Sequence, residues 1–114
     1  MTPSDLPIKI LFLCAKNQWR SPTAEQLYRK DVRCEVRSAG VSQQARRRVS
    51  AKDLAWADLV LVMEQNHRAK LQRLFPQEVQ DVEIQVLDIP DDYQYMDPEL
   101  IDMLRDHIEP LLSD

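Results

Sequence analysis

Residues 8–28 have the sequence IKILFLCAKNQWRSPTAEQLY, and this stretch decides the fold. Its first part, Ile8 to Leu13, is almost continuously apolar, which predicts a strand buried on both faces of a sheet. Ser21 and Pro22 are typical of a helix start, with serine as the cap and proline as the first helical residue. Apolar residues then recur at helical spacing and predict the buried stripe of that helix: Ala24, Leu27, Tyr28 and Val32.

The alternation of strands and helices continues along the chain. Ser50 and Asp53 resemble a capping box, and Asp97 precedes a proline as the cap of a last helix. The further predicted elements are strands over 35–39, 59–63 and 82–87 and helices over 50–57, 66–75 and 97–112. This order predicts an α/β, three-layer fold, in which a four-stranded parallel sheet is flanked by helices and ligands bind after the strand ends. The length suits one domain, residues 1–114.

The composition excludes several classes of protein. The chain has 114 residues, of which 44% are hydrophobic and 30% charged, as is ordinary for a globular domain. Its single glycine argues against the nucleotide-binding loops that need two or three glycines. Two cysteines are too few for a disulfide framework or an all-cysteine zinc site, and no apolar run is long enough for a membrane span. We therefore expect a cytoplasmic protein without a metal or a membrane partner.

Charge is unevenly distributed along the chain. Residues 1–75 carry 14 Lys and Arg against 7 Asp and Glu, whereas residues 76–114 carry 1 against 12. Two interpretations remain open: two oppositely charged faces that attract each other, or a basic anion site opposite a segment that supplies carboxylate chemistry. A net charge of −4 gives no support to a nucleic-acid partner, and the short run Arg46-Arg47-Arg48 is typical of a solvated surface. We expect His67 and His107 at the surface of their helices.

The loop after the first strand carries the strongest chemical pattern. Cys14 ends the strand, and Arg20 follows after five intervening residues at the start of the helix. A loop of this size can turn its backbone N–H groups toward one point, with the positive end of the helix behind it. A guanidinium can grip two oxygens of a tetrahedral oxyanion, and both features favour the nucleophilic thiolate of cysteine. The alternative is a cysteine that serves as a small buried hydrophobe at a strand end.

The segment ILFLCAKNQWRSPTAE, residues 10–25, resembles the phosphate loop of the low-molecular-weight protein tyrosine phosphatases. The likeness continues in the family's Ser-Ala-Gly turn, its middle helix and third strand, and its acid loop, which resemble residues 38–40, 49–64 and 89–93. The resemblance implies the family fold and a phosphomonoester hydrolase. It further implies a phosphorylated protein or a small phosphomonoester as substrate, inorganic phosphate or a similar oxyanion in the loop, and no cofactor.

The family mechanism implies a two-step phosphoryl transfer in this chain. Cys14 attacks phosphorus, Arg20 and the loop N–H groups bind the equatorial oxygens, and Asp91 is the general acid. Ser21 would stabilise the thiolate, and Asn17 would hold the shape of the loop. The remaining residues of the phosphate-binding loop are Ala15, Lys16, Gln18 and Trp19.

Four departures from the family pattern bear on this expectation. Lys16 replaces a glycine, so a side chain must fit there, at some strain if φ is positive. Trp19 replaces a loop cysteine that can protect the nucleophile by a disulfide. Asp92 stands where the acid loop has proline, which makes it the alternative to Asp91 as the acid. The chain is also shorter than the family, mostly between residues 40 and 49, so we expect an open pocket. Three aromatic side chains are candidates for a substrate wall: Trp19, Tyr93 and Tyr95.

Two other functions remain open. A thiol-dependent arsenate reductase on the same fold would bind arsenate in the loop, but it needs a resolving thiol. Cys34 is the only other cysteine, and it lies on a distant predicted strand, where a core role is favoured. A non-catalytic phosphate-binding module would use the loop without turnover. Glu64, after the third strand, matches a family acidic position near the loop, and we expect it either to hold a phosphate-loop group or simply to begin the next helix.

Overall fold

Strands and helices alternate in the order that the sequence predicts. The computed structural model describes residues 7–113, with the strands β1 Ile8–Cys14, β2 Cys34–Gly40, β3 Leu59–Val62 and β4 Glu83–Val86. The helices are α1 Arg20–Tyr28, α2 Ala51–Trp56, α3 Gln65–Leu74 and α4 Pro98–Leu112, with a short 3-10 helix, Glu78–Asp81, before β4. The first six residues and Asp114 of the expected 1–114 domain lie outside the described residues.

The four strands form one parallel sheet in the order β2-β1-β3-β4. β1 is central, and its pairing with β2 runs from Ile8 opposite Cys34 to Cys14 opposite Gly40. The expected α/β fold is therefore confirmed, and β4 lies at one edge of the sheet, as its alternating pattern predicts. Because all four strands run in one direction, their carboxyl ends meet at one edge of the sheet, where such folds bind ligands.

The side chains of β1 alternate between two cores. Ile10 and Phe12 pack on the side of α1 and α4, whereas Leu11 and Leu13 pack on the side of α2 and α3. All four side chains are fully buried. A strand covered on both faces has no polar side to present, which is why its sequence is almost continuously apolar.

The first helix differs from its prediction at both ends. α1 begins at Arg20 with Trp19 in the cap position, so Ser21 lies inside the helix and is not its cap. The hydroxyl of Ser21 instead contacts groups of the preceding loop. The helix ends at Tyr28, and Val32, which was expected in its buried stripe, is 89% exposed.

The starts of α2 and α4 match their predictions, whereas α3 begins at Gln65, one residue before the predicted start. Ser50 and Asp53 form the expected capping box of α2, and the Asp97 side chain caps α4. Pro110 lies inside α4, and the helix continues through it to Leu112. Within residues 7–113, no helix is both long enough and apolar enough to cross a membrane.

Candidate active site

The loop between β1 and α1 turns its carbonyl groups outward. The carbonyls of Cys14, Ala15 and Lys16 accept hydrogen bonds from amides of the segment 41–46, at 3.0, 2.9 and 3.0 Å. By contrast, no N–H group of residues 15–19 has a backbone acceptor in the described part of the chain. These N–H groups are available to an anion, as in the nest that the loop length predicts.

Asn17 holds the loop in this shape. Its backbone lies in the left-handed region, with φ of 55°, which asparagine tolerates better than most residues. Its Nδ2 donates to the hydroxyls of Ser21 and Ser38, both at 3.0 Å, and so ties the loop to α1 and β2. Lys16 does not have a positive φ, so the strain expected at the missing family glycine is absent there. The left-handed residue of the loop is Asn17 instead.

Cys14 ends β1 beneath this loop, with its thiol next to a hydroxyl. Its Sγ lies 3.0 Å from Oγ of Ser21, and both side chains are buried. The same Oγ lies 3.3 Å from the carbonyl oxygen of Ala39. A serine hydroxyl has one proton to donate, so it can serve either the sulfur or the carbonyl.

A cavity of about 140 Å³ adjoins the thiol of Cys14. Its lining comprises the three expected catalytic residues and the four remaining expected loop residues: Cys14, Ala15, Lys16, Gln18, Trp19, Arg20 and Asp91. Of the aromatic residues expected as a wall, only Trp19 lines this cavity, and its side chain is 41% exposed. Tyr93 packs against the core on the side of α1 and α4, and Tyr95 is exposed outside the cavity lining.

The guanidinium of Arg20 is buried and held by distant parts of the chain. Its Nη1 donates to Oε2 of Glu64 at 2.5 Å and to the carbonyl oxygen of Ile89 at 2.8 Å. Its Nε lies 3.6 Å from Oδ1 of Asp91. Within residues 7–113, Nη2 has no hydrogen-bond partner, so this edge of the guanidinium can still meet a ligand oxygen.

The two candidate acids occupy different places. Asp91 lines the cavity beside Arg20, with its side chain 58% exposed. Asp92, the next residue, is exposed and does not line the cavity. A carboxyl group next to a bound ligand and open to water can exchange protons with both.

His67 was expected at the surface, and that expectation was wrong. Its side chain is buried at the start of α3, and its Nδ1 accepts a hydrogen bond from the backbone N–H of Glu64 at 3.1 Å. Burial and the nearby charge of Arg20 lower its pKa to about 4. Glu64 is both the N-cap of α3 and the partner of Arg20, so both interpretations of this residue hold. Glu64 and His67 are three residues apart, which is the spacing of a capping box, and this spacing could have indicated that the His67 side chain binds the cap backbone.

Comparison with known proteins agrees with this geometry. A family model for low molecular weight phosphotyrosine protein phosphatase matches residues 9–50, which span β1, the loop, α1 and β2. The tyrosine phosphatase Wzb from Escherichia coli K30, solved in complex with phosphate, has the same fold with a TM-score of 0.73 and 22% identity. The match covers 91% of this chain and 95% of that one. The chain is thus similar to the low-molecular-weight phosphotyrosine protein phosphatases in sequence over residues 9–50 and in fold over almost its whole length.

Two further solved members of this fold are similar over almost the whole chain. The low molecular weight protein tyrosine phosphatase SP-PTP from Streptococcus pyogenes has a TM-score of 0.74 at 17% identity, covering 94% of this chain and 95% of that one. The YwlE arginine phosphatase from Geobacillus stearothermophilus has a TM-score of 0.64 at 25% identity, covering 93% and 88%. A search of curated proteins finds no match. The solved structures similar to this chain thus include a tyrosine phosphatase and an arginine phosphatase.

The site has no evident place for a metal ion in residues 7–113. No three side chains of His, Cys, Asp or Glu converge there in a way that could hold one. The positive groups facing the cavity are the guanidinium of Arg20, the exposed Lys16 and the backbone N–H groups. Positive groups of this kind attract an oxyanion.

Proposed function

We propose that the protein is a cysteine-dependent phosphomonoester hydrolase of the protein tyrosine phosphatase type. One observation carries the proposal: the thiol of Cys14 adjoins a cavity whose lining also includes Arg20, Asp91 and a loop with available N–H groups. Nucleophile, oxyanion-binding groups and a proton donor are the parts that phosphoryl transfer requires. Because the reaction needs Cys14 as a free thiol, a reducing compartment such as the cytoplasm is part of the proposal.

In the first step, the thiolate of Cys14 attacks the phosphorus atom of the bound substrate. A sulfur–phosphorus bond forms while the bond from phosphorus to the leaving oxygen breaks, and Asp91 donates a proton to that oxygen. Arg20 and the loop N–H groups hold the three equatorial oxygens. They stabilise the transition state more than the substrate because charge spreads over these oxygens there.

In the second step, a water molecule attacks the phosphocysteine. Asp91, now ionised, takes a proton from the water, and the sulfur–phosphorus bond breaks. Inorganic phosphate is released, and Cys14 is again a thiolate. The hydroxyl of Ser21, 3.0 Å from the sulfur, donates a hydrogen bond that makes the thiolate a better leaving group. Asn17 acts indirectly, since its amide positions that hydroxyl.

Substrate recognition beyond the phosphoryl group falls mainly to Trp19. Its ring lines the cavity and is partly exposed, so it offers an apolar face to the ring of a phosphotyrosine in a protein or of a small aryl phosphate. The family's solved members include a tyrosine phosphatase and an arginine phosphatase, so both phosphorylated side chains are candidates. We propose phosphotyrosine, because the cavity lining contains a single carboxylate, that of Asp91, with which to bind a guanidinium group.

The position of Cys34 argues against an arsenate reductase. Cys34 pairs with Ile8, whereas Cys14 lies six residues further along β1. At about 3.3 Å per residue the two thiols lie roughly 20 Å apart, beyond the reach of a disulfide. Burial also raises the pKa of Cys34 to about 11, which keeps it a poorly reactive thiol.

The test is the hydrolysis of a chromogenic aryl phosphate by the wild-type protein and by variants. Cys14→Ser should lose all measurable turnover while still binding inorganic phosphate, because the loop and Arg20 are intact. Asp91→Asn should lower kcat by about 100-fold, with the largest loss for poor leaving groups, because general acid catalysis contributes about 10²–10⁴-fold. Phosphotyrosine and phosphoarginine peptides should then be compared by their kcat/KM values.

Asp92→Asn is the matched control, since it makes the same chemical change one residue away. It should leave kcat within about threefold of wild type. If Asp92→Asn shows the large loss of kcat and Asp91→Asn stays close to wild type, Asp92 is the acid. Turnover that survives in Cys14→Ser would contradict the phosphocysteine mechanism, and tight phosphate binding without any turnover would instead indicate a binding module. Thiol consumption that depends on arsenate, without aryl phosphate hydrolysis, would indicate a reductase.

A further inference from the structure

His67 is a buried ionisable residue that the proposed reaction does not use. Its side chain is 3% exposed and lies in the first turn of α3. Because its Nδ1 accepts a hydrogen bond from the N–H of Glu64, the proton of the neutral ring must be on Nε2. That Nε2 lies 3.8 Å from Oε2 of Glu64, so the positive edge of the ring faces the carboxylate.

The same carboxylate oxygen is the acceptor for Arg20. Oε2 of Glu64 receives a hydrogen bond from Nη1 of Arg20 at 2.5 Å. The Glu64 side chain is 37% exposed, so burial alone does not fix its rotamer. The imidazole accepts a hydrogen bond from the backbone N–H of Glu64, and its Nε2 faces the same carboxylate oxygen that accepts from Arg20.

We propose that His67 is a positioning residue, which acts through Glu64 to hold the Arg20 guanidinium in the orientation that grips a tetrahedral oxyanion. Arg20 is anchored through Nη1, by Glu64 and by the carbonyl of Ile89, while Nη2 stays available to a ligand. Rotation of the guanidinium by loss of one anchor would move Nη2 away from the cavity. The catalytic consequence of this role rests on the proposed phosphatase function, whereas the consequence for anion binding does not.

The neutral state of His67 supports this role. Burial and the charge of Arg20 favour the uncharged ring at neutral pH. A neutral imidazole orients the carboxylate without adding a second cation that would compete with Arg20 for it. A merely structural role, in which His67 only stabilises the start of α3, is the alternative that the experiment must separate.

The experiment compares His67→Leu, His67→Gln, Glu64→Gln and the double variant Glu64→Gln/His67→Leu with wild type. For each protein, calorimetry measures the affinity for inorganic phosphate, and hydrolysis of an aryl phosphate gives kcat and KM. Thermal unfolding is recorded for each protein as well. His67→Leu removes both contacts to Glu64, whereas glutamine at the third helical position can accept from the cap N–H. His107→Leu is the matched control, because His107 is exposed on α4.

We expect His67→Leu to weaken phosphate binding about tenfold and to lower kcat by about 10- to 100-fold, with a rise in KM no larger than the loss of phosphate affinity. His67→Gln should recover most of both losses, and His107→Leu should match wild type. In the double variant, the losses of phosphate affinity and kcat should be close to those of Glu64→Gln alone, because both residues act through the contact between Glu64 and Arg20.

Two results would overturn the proposal. One is wild-type phosphate affinity in a folded His67→Leu protein. The other is full additivity of the Glu64 and His67 losses in phosphate affinity, which would indicate that the histidine acts independently of Glu64. If wild type binds phosphate but hydrolyses no phosphomonoester, the proposed function fails, and the calorimetric comparison still decides the role of His67.

Discussion

At the scale of single residues, Gly40 illustrates how close packing shapes the site. It is the only glycine in the chain, and it was expected to serve a turn after the second strand. The structure gives it no positive φ, so left-handed backbone is not the reason for glycine here. Its Cα instead lies against the phosphate loop: a Cβ would stand 2.5 Å from the carbonyl oxygen of Ala15 and 2.5 Å from Cβ of Ala45.

Gly40→Ala should therefore disturb the loop. The added methyl group forces the backbone of Ala15 to shift, and overpacking of this kind costs about 1–3 kcal/mol. We expect a lower free energy of unfolding in urea and at least a tenfold weaker affinity for phosphate. Gln43→Ala, an exposed substitution in the adjoining segment, is the control and should change neither. Unchanged phosphate affinity in Gly40→Ala would mean that the loop absorbs the methyl group without moving its N–H groups.

At the scale of elements, helix starts depend on which groups the side chains have nearby. Ser50 and Asp53 exchange hydrogen bonds with each other's backbone at the start of α2, as their spacing predicts. Ser21 has the same chemistry next to a proline, yet its hydroxyl is used by Cys14 and Asn17. A capping pattern is therefore decisive only where no other acceptor or donor reaches the side chain.

Ser50→Ala tests the capping box of α2. Loss of the cap should lower the free energy of unfolding by about 1 kcal/mol, because one N–H group of the first turn loses its acceptor. Lys52→Ala in the same helix is exposed and should change it by less than about 0.5 kcal/mol. Both are measured by urea denaturation. Phosphate affinity should stay at the wild-type value in both variants, since neither residue lines the cavity.

At the scale of the whole molecule, the uneven charge of the chain is only partly used to join its two halves. Arg20 meets Asp91, and Arg33 meets Glu109, so both open interpretations of the charge pattern apply to some pairs. Among the ion pairs of the described residues, the most buried carboxylate belongs to a different pair of elements. Asp53, 1% exposed, binds Arg37 and Arg47 within the basic half and so ties α2 to β2 and to the segment after it. Arg47 is thus structural, although its basic run was expected to be solvated.

Asp53→Asn and Glu109→Gln each remove one negative charge, the first at a buried carboxylate and the second at an exposed one. Comparing them tests how burial affects the strength of an ion pair. Asp53→Asn should cost roughly 2 kcal/mol of unfolding free energy at neutral pH, because a buried carboxylate loses its charge-assisted hydrogen bonds to two partly exposed arginines. Glu109→Gln should lower the free energy of unfolding much less than Asp53→Asn does, since the side chain of Glu109 is 47% exposed and water screens its ion pair. Equal losses in urea denaturation would show that burial does not set the strength of these pairs.

The pH dependence of Asp53→Asn provides a second measurement on the same pair of proteins. Burial by itself raises the pKa of Asp53, but hydrogen bonds from Arg47 and Ser50 outweigh it and hold the pKa below its usual value. A depressed carboxyl pKa stabilises the fold above about pH 4, and this contribution is lost as the pH falls through the folded-state value. The difference in free energy of unfolding between wild type and Asp53→Asn should therefore become smaller below about pH 4.

Local patterns were enough to predict the order of elements, the parallel sheet and the pairing of a strand-end cysteine with a helix-start arginine. Strand periodicity, caps and the C-x5-R spacing depend on residues a few positions apart, and the right-handed crossover of parallel strands does the rest. These features need no knowledge of distant contacts. The same locality explains the errors at Ser21 and Val32, where a tertiary hydrogen bond and an early helix end overrode the pattern.

Only the tertiary structure decided which distant groups complete the site. Arg20 meets Glu64 and the carbonyl of Ile89, which are 44 and 69 residues away along the chain. The choice between Asp91 and Asp92 as cavity lining, and the burial of His67 behind Glu64, likewise depend on how separate elements pack. Such contacts are set by sheet register and by the need to pair every buried polar group, and neither is encoded in the spacing of neighbouring residues.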